Sequence, residues 1–260
     1  MEIKPMSISV LDSISPVDGE VVSGLLEKER KDFNRKILVL DDDPTGTQTV
    51  HDVPVVTDWE EETIEEIFAM EDPMVFILTN SRSFSKSYTK EVHENIGKNI
   101  AKVFKETGKE FLLISRGDST LRGHFPLETE TLRETLEEEC GIKYHGEIIC
   151  PFFLEGGRYT LNNVHYVREG KMLVPAGQTE FARDKSFSYT SSHLGEYVEE
   201  KSQGLYKKED CVYISLEELR GLRLDEITEK LIKAENFCKI IVNAVDYADV
   251  EIFCICWIRA

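Results

Sequence analysis

Three adjacent carboxylates, Asp41, Asp42 and Asp43, follow directly on the apolar run Ile37-Leu38-Val39-Leu40 and precede Pro44-Thr45-Gly46. Four apolar residues with β-branched members read as a buried strand, and Pro-Thr-Gly turns the chain. The carboxylates are thereby placed at the C-terminal end of a strand, where open α/β sheets bind ligands. Like charges this close repel, so the arrangement calls for a cation, a hydroxyl-rich ligand or basic side chains. The plainer alternative is a solvated acidic turn. Two further clusters follow apolar runs in the same way. Asn80-Ser81-Arg82-Ser83 comes after a run ending at Thr79, and Arg116-Gly117-Asp118-Ser119-Thr120-Leu121-Arg122-Gly123-His124 comes after a run ending at Ser115. If the three strands are neighbours, their loops share one edge. They then offer carboxylates for hydroxyls, guanidinium forks for a carboxylate, and glycines open to close approach by a ligand. That inventory suits a small polyhydroxy acid.

The elements that must position these groups alternate. Strand-like runs at 37–40, 74–79, 110–115, 146–150, 211–214 and 238–242 are interleaved with helical patterns at 57–70 (with Asp58 as its N-cap), 85–107, 127–139, 192–201 and 224–234. Repeated strand-helix units predict an α/β fold, a Rossmann-like, doubly wound, mostly parallel sheet covered on both faces. A long excursion of loops and short strands at 151–190 interrupts it, and such excursions are often functional. Residues 1–35 read as an N-terminal helical arm lying outside the main domain of 36–260, with its helix at 16–34. The end of the chain is different in character. Asp246 can cap a last helix whose residues 252–258 are apolar without a break. A run of that kind seeks burial or self-association. It predicts packing on a neighbouring chain, a homo-oligomer, or a sequence that continues beyond 260.

Composition narrows the partners. With 41% hydrophobic residues in 260 the chain can bury a sizeable core. Lys plus Arg number 31 against 49 Asp plus Glu, a formal charge of -18, which disfavours nucleic acid and anionic membrane surfaces. The opening residues lack a basic start followed by a long apolar segment, and the most apolar window is broken by charges, so a soluble cytoplasmic protein is expected. The six cysteines include no C-x-x-C pair and the six histidines no H-E-x-x-H. This spacing predicts free thiols and no metal site.

The runs DDDPTGTQTVHDVPVVTDW, LTNSRSFS, ISRGDSTLRGHFPLE, FLEGGRYTLNNVHYV, LVPAGQTEFARDKSFSYTSSHL and IVNAVDYADVEIF closely resemble the N-terminal half of the four-carbon acid sugar kinase family. The resemblance runs in order from about residue 36 to the end. It implies a two-domain kinase that uses ATP and Mg²⁺ to phosphorylate the terminal hydroxyl of threonate, erythronate or 3-oxo-tetronate. In that family the N-terminal domain holds the acid sugar and a C-terminal nucleotide-binding domain, in cis or as a separate chain, holds the ATP. Neither G-x-x-x-x-G-K-[ST] nor G-x-G-x-x-G occurs in this sequence. This chain alone is therefore expected to lack an ATP site and to show no kinase turnover.

On this reading Asp42 and Asp43 bind substrate hydroxyls or help hold Mg²⁺, Thr45, Asn80 and Ser81 bind the substrate with them, and Arg82 clamps the carboxylate, with a surface ion pair as the alternative for Arg82. Asp118 orients the attacking hydroxyl as base, and Arg116 or Arg122 neutralises the transferred phosphoryl group. For Arg122 the alternative is a salt bridge to the first aspartates. Arg158 and Arg183 offer a lid or ordinary surface pairs, and His124 a cap for the helix that follows. Two rival functions remain. One is a stand-alone acid-sugar binding protein. The other is a haloacid-dehalogenase-like phosphohydrolase, because Asp41-x-Asp43-x-Thr45 fits a D-x-D-x-T opening with Asp41 as nucleophile. Pro44 and the lack of an obvious later Lys with paired Asp argue against the second.

Overall fold

The computed structural model describes residues 3–45 and 50–260, which leaves Gly46, Thr47 and Gln48 of the first cluster outside the described residues. The chain divides into two compact units. A first unit comprises Asn34–Asp118 and Gly123–Tyr144; a second comprises Met1–Phe33, Ser119–Arg122 and His145–Ala260. Numbered along the chain, β1 (Met6–Ser7) and α1 (Gly19–Arg30) open the second unit. The first unit follows with β2 (Lys36–Asp41), β3 (Val55–Val56), α2 (Glu61–Ala69), β4 (Met74–Leu78), α3 (Lys86–Thr107), β5 (Phe111–Arg116) and α4 (Leu127–Cys140).

The first unit is a four-stranded parallel sheet in the order β3-β4-β2-β5. Alternate residues Leu38, Leu40, Val75 and Ile77 are buried in one core with Ile64, Ile67 and Phe68 of α2, Ile96 and Ile100 of α3, and Leu132 and Leu136 of α4. Each fully buried aliphatic chain of this kind contributes roughly 1.5–3 kcal/mol. The steps β3-α2-β4 and β4-α3-β5 advance the same way across the sheet, so right-handed crossovers put their helices on one face. Helices α3 and α4 approach closely at Gly97, where an added Cβ would stand 2.9 Å from the Thr135 methyl. By strand order, the connection from β2 to β3 runs the opposite way, past β4. The C-terminal end of β2 is therefore a switch point, the place where such sheets admit ligands.

The second unit holds β6 (Gly146–Ile149), β7 (Arg158–Leu161), β8 (Val164–Glu169), β9 (Met172–Pro175), α5 (Leu194–Lys201), β10 (Val212–Ile214), α6 (Leu216–Arg220), α7 (Leu224–Ile232), β11 (Cys238–Val242) and α8 (Tyr247–Arg259). Strands β10-β11-β6 form a parallel sheet, and β1-β9-β8-β7 an antiparallel one. The α/β class and parallel pairing expected from the alternation are present. The parallel strands, however, are shared between two sheets, because periodicity identifies strands without saying which of them pair. The 151–190 excursion is the antiparallel sheet. Helix α6 escaped the periodicity because it is only five residues long, although Ser215 and Glu218 form a capping box at its start.

Residues 252–258 do not form an uncovered face. Ile252, Phe253, Ile255 and Cys256 are buried with Val22 of α1, Leu219 of α6 and Ile227 and Leu231 of α7. Arg259 at the end of α8 donates to Glu29 of α1 at 2.9 and 3.0 Å. The helical arm read as lying outside is thus the cover of the last helix, and Met6 and Ser7 add a strand beside β9. Arg220 fastens the start of α8 through a two-point ion pair to the fully buried Asp249, at 2.8 and 3.0 Å. Among the described residues no helix is long and apolar enough to cross a membrane. Because Phe253 fills the core between α1, α7 and α8, Phe253→Ala should destabilise the second unit by about 3–5 kcal/mol. Denaturant unfolding followed through Trp257 fluorescence checks this, and an unchanged midpoint would mean that α8 is not part of this core.

Candidate functional site

The strand-end groups of the first unit are assembled by β-sheet register. Asp41 lies between Leu78 of β4 and Arg116 of β5. Opposite residues on adjacent parallel strands project from the same face, so Arg116 and Asp41 meet, Nη1 to Oδ1 at 3.2 Å. The backbone is fastened from both sides. Thr79 donates its N–H and its hydroxyl to the Asp41 carbonyl, each at 2.9 Å. Arg82 N–H donates to the Asp42 carbonyl at 3.2 Å, and Asp42 N–H donates to the Arg116 carbonyl at 3.2 Å. Asn80, in the left-handed region at φ 55°, turns the chain into the short 3₁₀ segment Ser81–Ser83 that carries Arg82.

Arg82 is the centre of the cluster. Its Nε and Nη2 donate to the two oxygens of Asp42 at 2.9 and 2.5 Å, and its Nη1 donates to Asp43 at 3.2 Å. Asp42 is 3% exposed, and burial pushes its carboxyl above the usual range while the Arg82 bonds oppose the shift. Asp43 moves the other way, held low by the Thr45 hydroxyl at 2.5 Å, with the Thr45 amide adding to it at 2.8 Å. Asp41, 1% exposed, is pushed up by burial against the pull of Arg116. Its Oδ2 is buried without a hydrogen-bond partner among the described residues. Asp118 acts electrostatically on both Asp42 and Arg82. Gly123, at φ 145°, passes so near that an added Cβ would lie 3.4 Å from Asp42 Oδ2.

This is a desolvated carboxylate-guanidinium cluster, and its donor set does not fit a resident metal. Both Asp42 oxygens face Arg82, and both Asp43 oxygens are taken by Thr45 and Arg82. Among the described residues no three acidic, His or Cys side chains converge on a cation position. A nucleophilic Asp41 is equally ill served, because its side chain is closed to solvent.

Comparison with known proteins now bears on the assignment. Residues 37–260 match the model of the family described as the sugar-binding N-terminal domain. The chain belongs to that family. The match bears out the resemblance to the substrate-binding domain of the four-carbon acid sugar kinases. No curated protein matches the chain. A structure from Bordetella bronchiseptica of a domain of unknown function, DUF1537, solved as a domain-swapped dimer with bound citrate, is similar with a TM-score of 0.60 at 20% identity. The match covers 84% of this chain and 49% of that one. A Haemophilus influenzae protein of the same DUF1537 family gives 0.57 at 15% identity, over 83% of this chain and 50% of that one. The chain thus spans about half the length of these two solved structures, and at such identities they show a shared fold.

Within this sugar-binding domain the sequence-predicted residues fall into two groups. Asp42, Asp43, Thr45, Asn80, Ser81, Arg82, Arg116 and Asp118 all belong to the first unit. Arg122 does not, because residues 119–122 belong to the second. There the carbonyls of Ser119, Thr120 and Leu121 bond to His165, Tyr189 and Tyr197 at 2.8, 2.7 and 2.9 Å. Arg122 itself lies 4.0 Å from Asp184 and over the Phe181 ring at 5.1 Å, a ring it shares with Arg158 at 5.3 Å. The Arg82 fork, expected to face a ligand carboxylate, faces Asp42. The carbonyl of His124 accepts from the Glu128 amide in the first turn of α4 at 3.3 Å, whereas its ring turns away, with Nε2 3.1 Å from the Phe84 carbonyl. Sequence reasoning passed over Asp41 as a partner of Arg116, and it missed Glu128, whose carboxylate accepts from the Ser81 hydroxyl at 2.5 Å.

Removing Arg82 strands a buried carboxylate. Arg82→Ala should therefore destabilise the first unit by about 3–5 kcal/mol, and Asp42→Asn added to it should recover a large part of the loss. Chemical denaturation of the single and double variants checks this. Equal stability of Arg82→Ala and wild type would mean that the fork holds nothing.

Proposed function

We propose that this chain is the substrate-binding half of an ATP-dependent kinase that phosphorylates the terminal hydroxyl of a four-carbon acid sugar, with a nucleotide-binding domain as its partner. Membership of the sugar-binding family carries the reading, and the strand-end cluster at the switch point supports it. The citrate in the Bordetella bronchiseptica structure, a hydroxylated carboxylic acid, supports the ligand class, and the dimer of that protein supports a homo-oligomeric form.

The geometry redistributes the roles. Arg82 is engaged by two aspartates, whereas the Arg116 side chain makes one hydrogen bond among the described residues, to Asp41, and is 32% exposed. Arg116 is accordingly the guanidinium with N–H groups to give to the ligand's carboxylate. Asp43, held by Arg82 and with its side chain 27% exposed, keeps acceptor lone pairs for ligand hydroxyls, while the buried Asp42 anchors Arg82. Asp118 serves as the base that orients the hydroxyl to be phosphorylated, since phosphoryl transfer depends chiefly on positioning and electrostatics. ATP enters as the co-substrate on the nucleotide domain, and no step here passes through a metal held by this cluster.

Isothermal calorimetry with threonate, erythronate and 3-oxo-tetronate tests the reading. One of them should bind, and Arg116→Ala should weaken it roughly ten- to a hundredfold, the value of a charge-assisted fork. Asp118→Asn should leave affinity within about threefold and lower turnover once the nucleotide domain is added. Absence of binding by all three acids would overturn the substrate class. Unchanged affinity in Arg116→Ala would overturn the role given to that arginine.

A further inference from the structure

Behind the turn that carries Arg82 lies a buried acid that the strand-end chemistry does not use. Glu128, the second residue of α4, is 6% exposed and accepts from the hydroxyl of Ser81, itself 0% exposed. His93 of α3, 1% exposed, places Nε2 3.8 Å from the same carboxylate oxygen. The other nitrogen of His93, Nδ1, lies 2.8 Å from the Thr89 carbonyl. A carbonyl can only accept, so Nδ1 carries the hydrogen of the neutral ring and Nε2 presents a lone pair to Glu128. Two acceptors face each other in a place closed to water, an arrangement that favours the protonated, uncharged form of the carboxyl.

Charge points the same way. Asp41, Asp42, Asp43 and Asp118 already outnumber Arg82 and Arg116, and an ionised Glu128 would add a further negative charge that Asp42 feels directly. We propose that Glu128 is held protonated beside a neutral His93, so that the two form an uncharged pair. Through Ser81, Glu128 is then the positioning residue of the Arg82 turn, and its neutrality keeps the strand ends open to an anionic ligand. Burial, which raises the Glu128 carboxyl and lowers the His93 ring, supports the uncharged state. The other charged groups acting on Glu128 are Asp42, Arg82 and His124, with Lys86 acting on His124. His124 is likewise held low by burial. A raised carboxyl keeps its proton at low pH and loses it as pH rises through the folded value. The ionised carboxylate would then repel Asp42 and the His93 lone pair, which outweighs the stronger bond it accepts from Ser81, so the turn should loosen and anion affinity fall toward alkaline pH. Only the ligand part of this inference rests on the acid-sugar reading.

Amide hydrogen exchange of the ligand-free chain tests the positioning role directly. Ser83 and Phe84 donate their N–H groups within the turn, and Arg82 donates its N–H to the Asp42 carbonyl. After correction for intrinsic rates, their protection should fall roughly five- to tenfold as pH is raised, the scale of about one pKa unit of differential interaction between the two protonation states of Glu128. Glu128→Gln, which stays uncharged and still accepts from Ser81, should abolish this pH dependence. The same dependence in Glu128→Gln, or a His93 ring protonated at Nε2 at neutral pH by ¹⁵N resonance, would overturn the proposal. Threonate affinity should follow the same pattern, falling with pH in wild type and staying flat in Glu128→Gln. If threonate binds wild type at no pH, the acid-sugar reading fails, and the exchange data alone decide the role of Glu128.

Discussion

The first unit depends on how three consecutive aspartates are tolerated at the end of one parallel strand. Asp41 and Asp42 are almost wholly buried, where an ionised carboxylate costs several kcal/mol unless it is answered. The fold answers each with a guanidinium from a neighbouring strand end, Arg116 from β5 and Arg82 from the turn after β4. This is possible only because β2 is flanked by β4 and β5. Strand order, loop conformation and the helices that hold both strands are thus bound up with the electrostatics of a few side chains.

The consequence for function is a division between the two arginines. One is a counter-ion that fixes both Asp42 and Asp43; the other makes, among the described residues, a single side-chain hydrogen bond, to Asp41 at the switch point. A cluster with more carboxylates than guanidiniums is an awkward receptor for an anion. That constraint makes the uncharged state of Glu128 matter, and it explains why a buried acid with a buried histidine stands behind the Arg82 turn.

Much of the local structure was legible in the sequence, because it is set by local rules. The strand at Cys238–Val242 and the helix Lys86–Thr107 with Ser85 at its N-cap follow from apolar phase and capping chemistry. The helix expected from 57 begins instead at Glu61, because Asp58 accepts from the Glu60 amide ahead of the helix and does not cap it. What could not be read depends on partners far away along the chain. Arg82 looked free for a ligand because its aspartates lie some forty residues before it. The apolar run at 252–258 looked uncovered because its cover is the polar-looking arm at the other end of the chain. Glu128 was not singled out from the sequence, because Ser81 and His93, which close over it, lie far before it along the chain.

The central claim is that Arg82 belongs to the protein and Arg116 to the ligand. Side-chain ¹⁵N spectra of the arginines, recorded while threonate is titrated into the chain, test it most directly. The account predicts that the Arg116 guanidinium resonances shift and sharpen with saturation while those of Arg82 stay in place, held by Asp42 throughout. Movement of Arg82 with Arg116 unperturbed would contradict it.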